Sequence, residues 1–509
     1  MKNLSSRISS QLITIAGCLF STLCFAQPQY NAVGDFFSEV CSACHGLALE
    51  GTNLGTALVG LDLKNGDSVE AIENSIGLGN LEAGMPPFDN VYSEGQIQSL
   101  AIYILEQRAG FDYDSYQMRE QVTIPQGVQQ TQLHNFALTR VNDEVDPLPY
   151  SIAPMPDGSA LVVEKKFGLR ILSTDGELSD LIRGTPKTWD DSSLPEGLRA
   201  LDRGKGWMQD VVLHPDYESN GWIYIYMGDR CDDCNEISRA EGRPVGMTKI
   251  VRGRIRNSEW VDQETIWSTD YENYTTNTDL AIGGRMALDD QGYVYFTIGA
   301  MNGFYDAEIQ NLARPWGKIH RVHDDGRIPE DNPFVNDASA IDSIWTVGHR
   351  APQGLEYDAE TGILWGSEHG PRGGDEINRL LPGRNYGWPL TSRGVDYDGS
   401  SVEGKVDIPF NIEDIEQPVV DMTPSPALSA FVVYHGEQFP EWEGDIISGS
   451  LKAQTLYRFD IENNQLVEKE TLIEGIGRIR DIEVDNQGYI LLLSENAAGS
   501  KILRMSPAD

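Results

Sequence analysis

The sequence predicts a multidomain chain: a small all-α domain near the N-terminus, followed by a large all-β six-bladed propeller. Three observations carry this. The motif Cys41-Ser-Ala-Cys44-His45 lies between two segments of helical periodicity. From about residue 134 the apolar period falls to two, the period of a strand. Within that stretch a strand–turn–strand unit recurs, with Asp or Asn and Gly at the turn.

Residues 1–26 read as an export segment. Lys2 and Arg7 give a positive start, residues 12–25 are largely apolar, and Cys24-Phe25-Ala26 offers a small-residue cleavage site. Ile15-Ala16-Gly17-Cys18 resembles a lipoprotein processing box, but the apolar run continues past Cys18, which favours cleavage after Ala26. A periplasmic location is expected. No later run approaches ~20 apolar residues, so no transmembrane helix is expected.

Residues 27–111 form the helical domain. Helices are expected over 31–40 and 93–108; in the second, Ile97, Leu100, Ala101, Ile104 and Leu105 recur at helical spacing. Two thiols three residues apart, with a His next, can take a haem through its two vinyl groups, and His45 then ligates the iron. A disulfide or metal site with an incidental His is the alternative. Gly84-Met85-Pro86-Pro87-Phe88 places a thioether in a loop held by two prolines, which suits the distal side of a Met/His-ligated iron. The segment resembles a class I cytochrome c, which implies one covalent haem c and electron transfer. Residues 112–133 are polar and read as a linker.

From residue 134 to 509, hairpin units fall at 151–164, 210–228, 286–299, 355–368, 445–458 and 481–495. Repeated hairpins with long inserted loops predict six blades, an arrangement that protects strand edges by radial closure. Loops would gather at the axis, where a site would lie. Cys231-Asp-Asp-Cys234 is followed by Asn235, so it is not a second haem motif; a local disulfide is the default in an oxidising compartment, with a metal or redox-active pair the alternative. The net charge of −39 excludes nucleic acid and anionic membranes as partners. It suits a neutral small-molecule substrate and a basic downstream redox protein, or simply a well-solvated surface.

Gly348-His-Arg350-Ala-Pro352-Gln353-Gly354-Leu355, Glu368-His-Gly370-Pro371-Arg-Gly-Gly-Asp375-Glu376-Ile-Asn378, Asn385-Tyr386-Gly387-Trp388-Pro389, Ser448-Gly-Ser-Leu-Lys452 and Arg478-Ile-Arg480-Asp481 together resemble the glucose/sorbosone dehydrogenase family. The resemblance implies a six-bladed propeller holding pyrroloquinoline quinone (PQQ) and Ca²⁺ at one end of its axis. It implies that Arg350, Lys452, Arg478 and Arg480 bind PQQ. Glu376 and the Tyr386 carbonyl would bind one calcium, and the Gly370 and Pro371 carbonyls a calcium beside the quinone. The chain departs from the pattern where the chemistry sits. The family's catalytic His position is Ala281, and the Asp that orients it is Ala300. Ala can neither take a proton nor orient a base. An Asn is replaced by Ala351 and a Gln by Lys205. Lys205, His369 and His435 are the remaining base candidates, although structural roles suit both histidines; His214 reads as part of a turn.

Three functions compete. The first is a dehydrogenase of sugars, alcohols or aldehydes that delivers electrons through the fused haem. The second is a Ca²⁺-dependent lactone or ester hydrolase, which leaves the haem unexplained. The third is a degenerate propeller that binds a ligand or partner and transfers electrons.

Overall fold

The computed structural model describes residues 32–111, 122–146, 148–190, 204–277, 279, 283–301 and 303–508. The export segment with Cys18 and Cys24, the first part of the linker, and Ala281 lie outside the described residues.

The helical domain is built from α1 (Ala32–Val40), α2 (Ser42–His45), α3 (Val69–Leu78) and α4 (Glu94–Ala109). Ser93 caps α4: its hydroxyl accepts the Gln96 N–H while the Gln96 side chain accepts the Ser93 N–H, a reciprocal capping box. Gly110, in the left-handed conformation, ends the helix. Phe37 of α1, Ile72 and Ile76 of α3, and Leu100 and Ile104 of α4 form the domain's core. α4 is buried on its opposite side as well, at Ser99, Ile102 and Glu106.

That second face meets the propeller. Arg372 grips the Glu106 carboxylate through Nε at 2.8 Å and Nη2 at 2.6 Å, with side-chain exposures of only 3% and 1%. The Gln98 side chain donates to the Arg393 carbonyl at 3.4 Å. A Cβ on Gly399 would lie 2.5 Å from Val33 Cγ2, so only glycine lets that loop lie against α1.

The propeller has six sheets. Their innermost strands, Pro149–Pro154, Met208–Leu213, Gly283–Leu288, Pro352–Asp358, Leu428–Val433 and Arg478–Val484, touch in a closed ring. The last blade is made from both ends of the propeller: Asn135–Asn142 pairs antiparallel with Lys501–Pro507, Leu138 opposite Met505. The predicted units fall on real hairpins, with one shift. Residues 445–458 belong to the second and third strands of blade 5, Ile446–Ser450 and Thr455–Glu462. Its innermost strand, Leu428–Val433, is followed by a long connection in which Phe439 and Trp442 stack at 4.6 Å, so no compact turn marks it in the sequence.

The second half of the predicted linker is part of the propeller. Ile124 is buried in the apolar core between blades 5 and 6, and Gln129–Gln130 adds a short strand beside Asn135–Asn142. Among the described residues no helix is long and apolar enough to cross a membrane.

Candidate functional site: a haem cavity and a cationic propeller mouth

In the helical domain, α2 carries the Cys-Ser-Ala-Cys-His motif. His45 Nδ1 donates to the Thr56 carbonyl at 2.7 Å, which leaves Nε2 for a metal. Thr56 is held there by a tight loop: a Cβ on Gly55 would lie 2.8 Å from the Cys44 carbonyl. Cys41 and Cys44 are both free thiols. Burial, with Cys44 beside it, pushes the Cys41 thiol up to about 11. The Asn80–Met85 bridge fixes the backbone of the Met85 loop. All four residues, with Leu100 and Ile104 of α4, line one cavity of about 670 Å³. Thiols, imidazole and thioether around one apolar space fit a covalently attached haem with Met/His ligation.

In the propeller, the N-terminal ends of the innermost strands gather cations. Arg480 forks onto Glu495 through Nε at 2.9 Å and Nη2 at 2.8 Å, and Arg478 Nη2 reaches the same carboxylate at 2.8 Å. Lys165 Nζ lies 3.4 Å from it on a third side. Burial alone would raise the Glu495 carboxyl, but Arg480, Lys165 and Arg478 outweigh it and hold the group well below the usual range. One carboxylate thus faces three cations, and positive charge remains in excess. Lys452 lies alongside: its N–H bonds the Pro426 carbonyl, and Arg478 Nη1 bonds the adjacent Leu451 carbonyl.

Arg350 forms the opposite wall. Its Nη1 donates to the His369 and Gly370 carbonyls, both at 3.0 Å, and Nη2 to the Tyr397 hydroxyl at 3.3 Å. Its buried Nε has no partner. The guanidinium lies 4.4 Å from the Phe304 ring and 5.2 Å from Trp388. Asp375 ties this wall to blade 5 by accepting the Gly370 and Leu428 N–H groups, and burial pushes its carboxyl up to about 7.

The base candidates separate. Lys205 is buried at the mouth and donates to the Thr275 carbonyl at 3.0 Å. His369 also lies there, but its Nε2 donates to the Leu428 carbonyl at 2.5 Å. Burial, then Arg350 and Arg480, push its imidazole down to about 3, so it is a neutral and weak base. His435 is removed from the site. It bonds Asp358 at 3.0 Å and Glu443 at 2.5 Å. Asp358 ends the strand that begins beside Arg350, about 20 Å along it. His214 bonds the Asp216 N–H and holds its turn. Ala300 is fully buried, donates its N–H to the Arg350 carbonyl at 2.9 Å, and packs with Ile309, Trp388 and Val402. An apolar cluster thus surrounds the position where the family resemblance places an Asp, and a carboxylate buried there without a partner would be costly.

The family model described as Glucose / Sorbosone dehydrogenase matches residues 147–504. The chain belongs to the glucose/sorbosone dehydrogenase family. The model of cytochrome c oxidase, cbb3-type, subunit III matches residues 28–104, so this family member carries an N-terminal cytochrome c domain. The aldose sugar dehydrogenase YliI of Escherichia coli (strain K12) is 32% identical over 373 residues, covering 72% of this chain and 92% of that protein. The apo structure of the soluble aldose sugar dehydrogenase from Escherichia coli superimposes with a TM-score of 0.62 at 28% identity, covering 73% of this chain and all of that one. The PQQ-bound form of an aldose sugar dehydrogenase from Streptomyces coelicolor shares the fold, with a TM-score of 0.54 at 21% identity.

The mouth of this glucose/sorbosone dehydrogenase propeller fits a planar tricarboxylate. It offers excess cations, an unpartnered guanidinium Nε and flanking aromatic rings. The oxygens expected to hold calcium fare unequally. Glu376 is crowded by Glu368 and Asp421 across neighbouring strands; burial and these two carboxylates raise its carboxyl, the strain a cation would relieve. The Gly370 carbonyl is engaged by Arg350. Among the described residues no three His, Cys, Asp or Glu side chains converge on one point. Cys231 and Cys234 are disulfide-bonded. Sequence reasoning missed Lys165 and Glu495. Lys165 directly follows the hairpin unit 151–164 and belongs to none of the family motifs, yet it is buried against Tyr150 and Trp207.

Proposed function

We propose that this chain is a periplasmic quinohaemoprotein dehydrogenase. A sugar, alcohol or aldehyde is oxidised at PQQ in the propeller mouth. The electrons pass to haem c on the N-terminal domain and then to a downstream redox protein. The observation that carries the reading is the surplus of buried cations, with Arg350 Nε unpartnered, in a family propeller joined to a Cys-His-Met haem cavity.

PQQ, when bound, supplies a two-electron acceptor for the substrate's hydride. Arg350, Lys452, Arg478 and Arg480 would hold its carboxylates, with the Phe304 and Trp388 rings beside Arg350. Glu376 and the Tyr386 carbonyl are the oxygens we assign to calcium. The Gly370 carbonyl, engaged by Arg350, is not assigned. The substrate hydroxyl must lose a proton as hydride leaves. Lys165 is the proton acceptor best prepared by its surroundings, since burial lowers it to about 8 against the pull of Glu495. A second reading, a quinone-free binding module, is favoured by the apolar packing around Ala300.

Calorimetric titration of haem-loaded protein with PQQ, with and without Ca²⁺, tests the reading. Haem absorbance is followed in the same samples as aldoses, alcohols and aldehydes are added. Saturable quinone binding with substrate-dependent haem reduction is expected; absence of quinone binding would sink the dehydrogenase and leave the binding module.

A further inference from the structure

α4 has two working faces. Leu100 and Ile104 line the haem cavity, while Ile102 and Glu106 face the propeller across a helix about 10 Å thick. Glu106 is a costly residue in this place. It is a buried carboxylate in the last turn, where the helix dipole also opposes negative charge. Neither the core of the helical domain nor the haem ligands need it. It is ion-paired with Arg372, which follows Gly370 and Pro371 in sequence, and the Gly370 carbonyl accepts from Arg350 at the proposed quinone pocket. The Arg372 backbone pairs with Val395 in both directions, which stiffens the loop that clasps α4.

We propose that the Glu106–Arg372 ion pair is an internal latch that seats α4 on the 370–374 loop, so that electrons leave the quinone pocket through α4 to the haem of the same chain. This rests on the dehydrogenase reading above. Two electrons and two protons leave each reduced quinone. The protons go to solvent, and the iron accepts the electrons one at a time, Fe(III) to Fe(II). Each is handed to an external one-electron acceptor, such as ferricyanide, before the next arrives. Glu106 and Arg372 are positioning residues, and neither lines the haem cavity.

The test compares the full haem-loaded chain with E106Q. Hydrogen exchange is measured on the backbone amides of α4 and of residues 372–399. Haem reduction by substrate with PQQ is measured by stopped flow, beside substrate-dependent reduction of a small dye that takes electrons directly from the propeller. E106Q should exchange faster in both segments and slow haem reduction about tenfold. Dye reduction and the haem spectrum should stay unchanged. If E106Q does not fold, the charge-swapped pair E106R with R372E serves instead, with exchange protection and rate near those of the parent. Unchanged exchange in E106Q overturns the latch. Faster exchange with an unchanged haem rate overturns the route through α4. If the unaltered chain reduces dye with substrate but never its own haem, the inference falls while the dehydrogenase stands. If it reduces neither, the dehydrogenase reading falls and takes the inference with it.

Discussion

At the residue scale, Lys165 is where the proposed proton acceptor can be tested. Its ammonium is buried beside Arg480 and Arg478, and only Glu495 opposes the resulting fall to about 8. The unfolded chain would hold this proton up to about 10.5. Between about 8 and 10.5 the unfolded state therefore binds more protons, and stability should rise with pH across that window. Thermal unfolding from pH 7.5 to 10 (about the range set by these values) should show this component in the parent and lack it in Lys165→Met. Substrate-dependent turnover should also climb through about pH 8 in the parent, as the amine becomes a proton acceptor, and lose that limb in the variant. The cytochrome c domain was legible because its motif is local: Cys41, Cys44 and His45 fall within one turn of chain. The cations at the mouth were legible only through family motifs. Lys165 and Glu495 come together from blades 1 and 6, and no spacing in the sequence marks such a pair.

At the element scale, α4 is the piece on which both domains depend. Ser93 fixes its start, and loss of that cap, as in Ser93→Ala, should cost about 1 kcal/mol. The lower unfolding midpoint should appear in the haem absorbance, and the amides of α4 should lose exchange protection. Its helical character was plain from the spacing of Ile97, Leu100, Ala101, Ile104 and Leu105. Its second buried face was not, because Ser99 and Glu106 look like solvent-facing residues until the propeller loop is placed against them. Strands show the same division. Units closed by a short Asp/Asn-Gly turn were read directly. Leu428–Val433 was missed because its partner follows a long connection, and Asn135–Asn142 because its partner lies at the far end of the chain.

At the scale of the whole molecule, the charge of the cytochrome c domain bears on the electron acceptor proposed for it. Glu39, Glu50, Asp62, Asp67, Glu70 and Glu82 are exposed on that domain, where Lys64 and Arg108 are the cations. A basic one-electron acceptor should therefore reoxidise the haem faster than an acidic one of similar potential. The advantage should collapse toward 1 M salt, where the screening length is about 3 Å. Stopped-flow reoxidation against ionic strength checks this; equal rates for the two acceptors at low salt would show that the acidic face does not steer encounter.

The last blade also dictates an order of events during synthesis. Its outer strands come from residues 129–142 and its inner ones from residues 478–507, so the ring stays an open arc, with unpaired edges, until residues 478–507 have been made. The helical domain needs nothing beyond residue 111 for its own core and can be complete long before that. The segment that finishes the ring is thus the component whose loss would leave a folded cytochrome c domain tied to an unclosed, adhesive sheet.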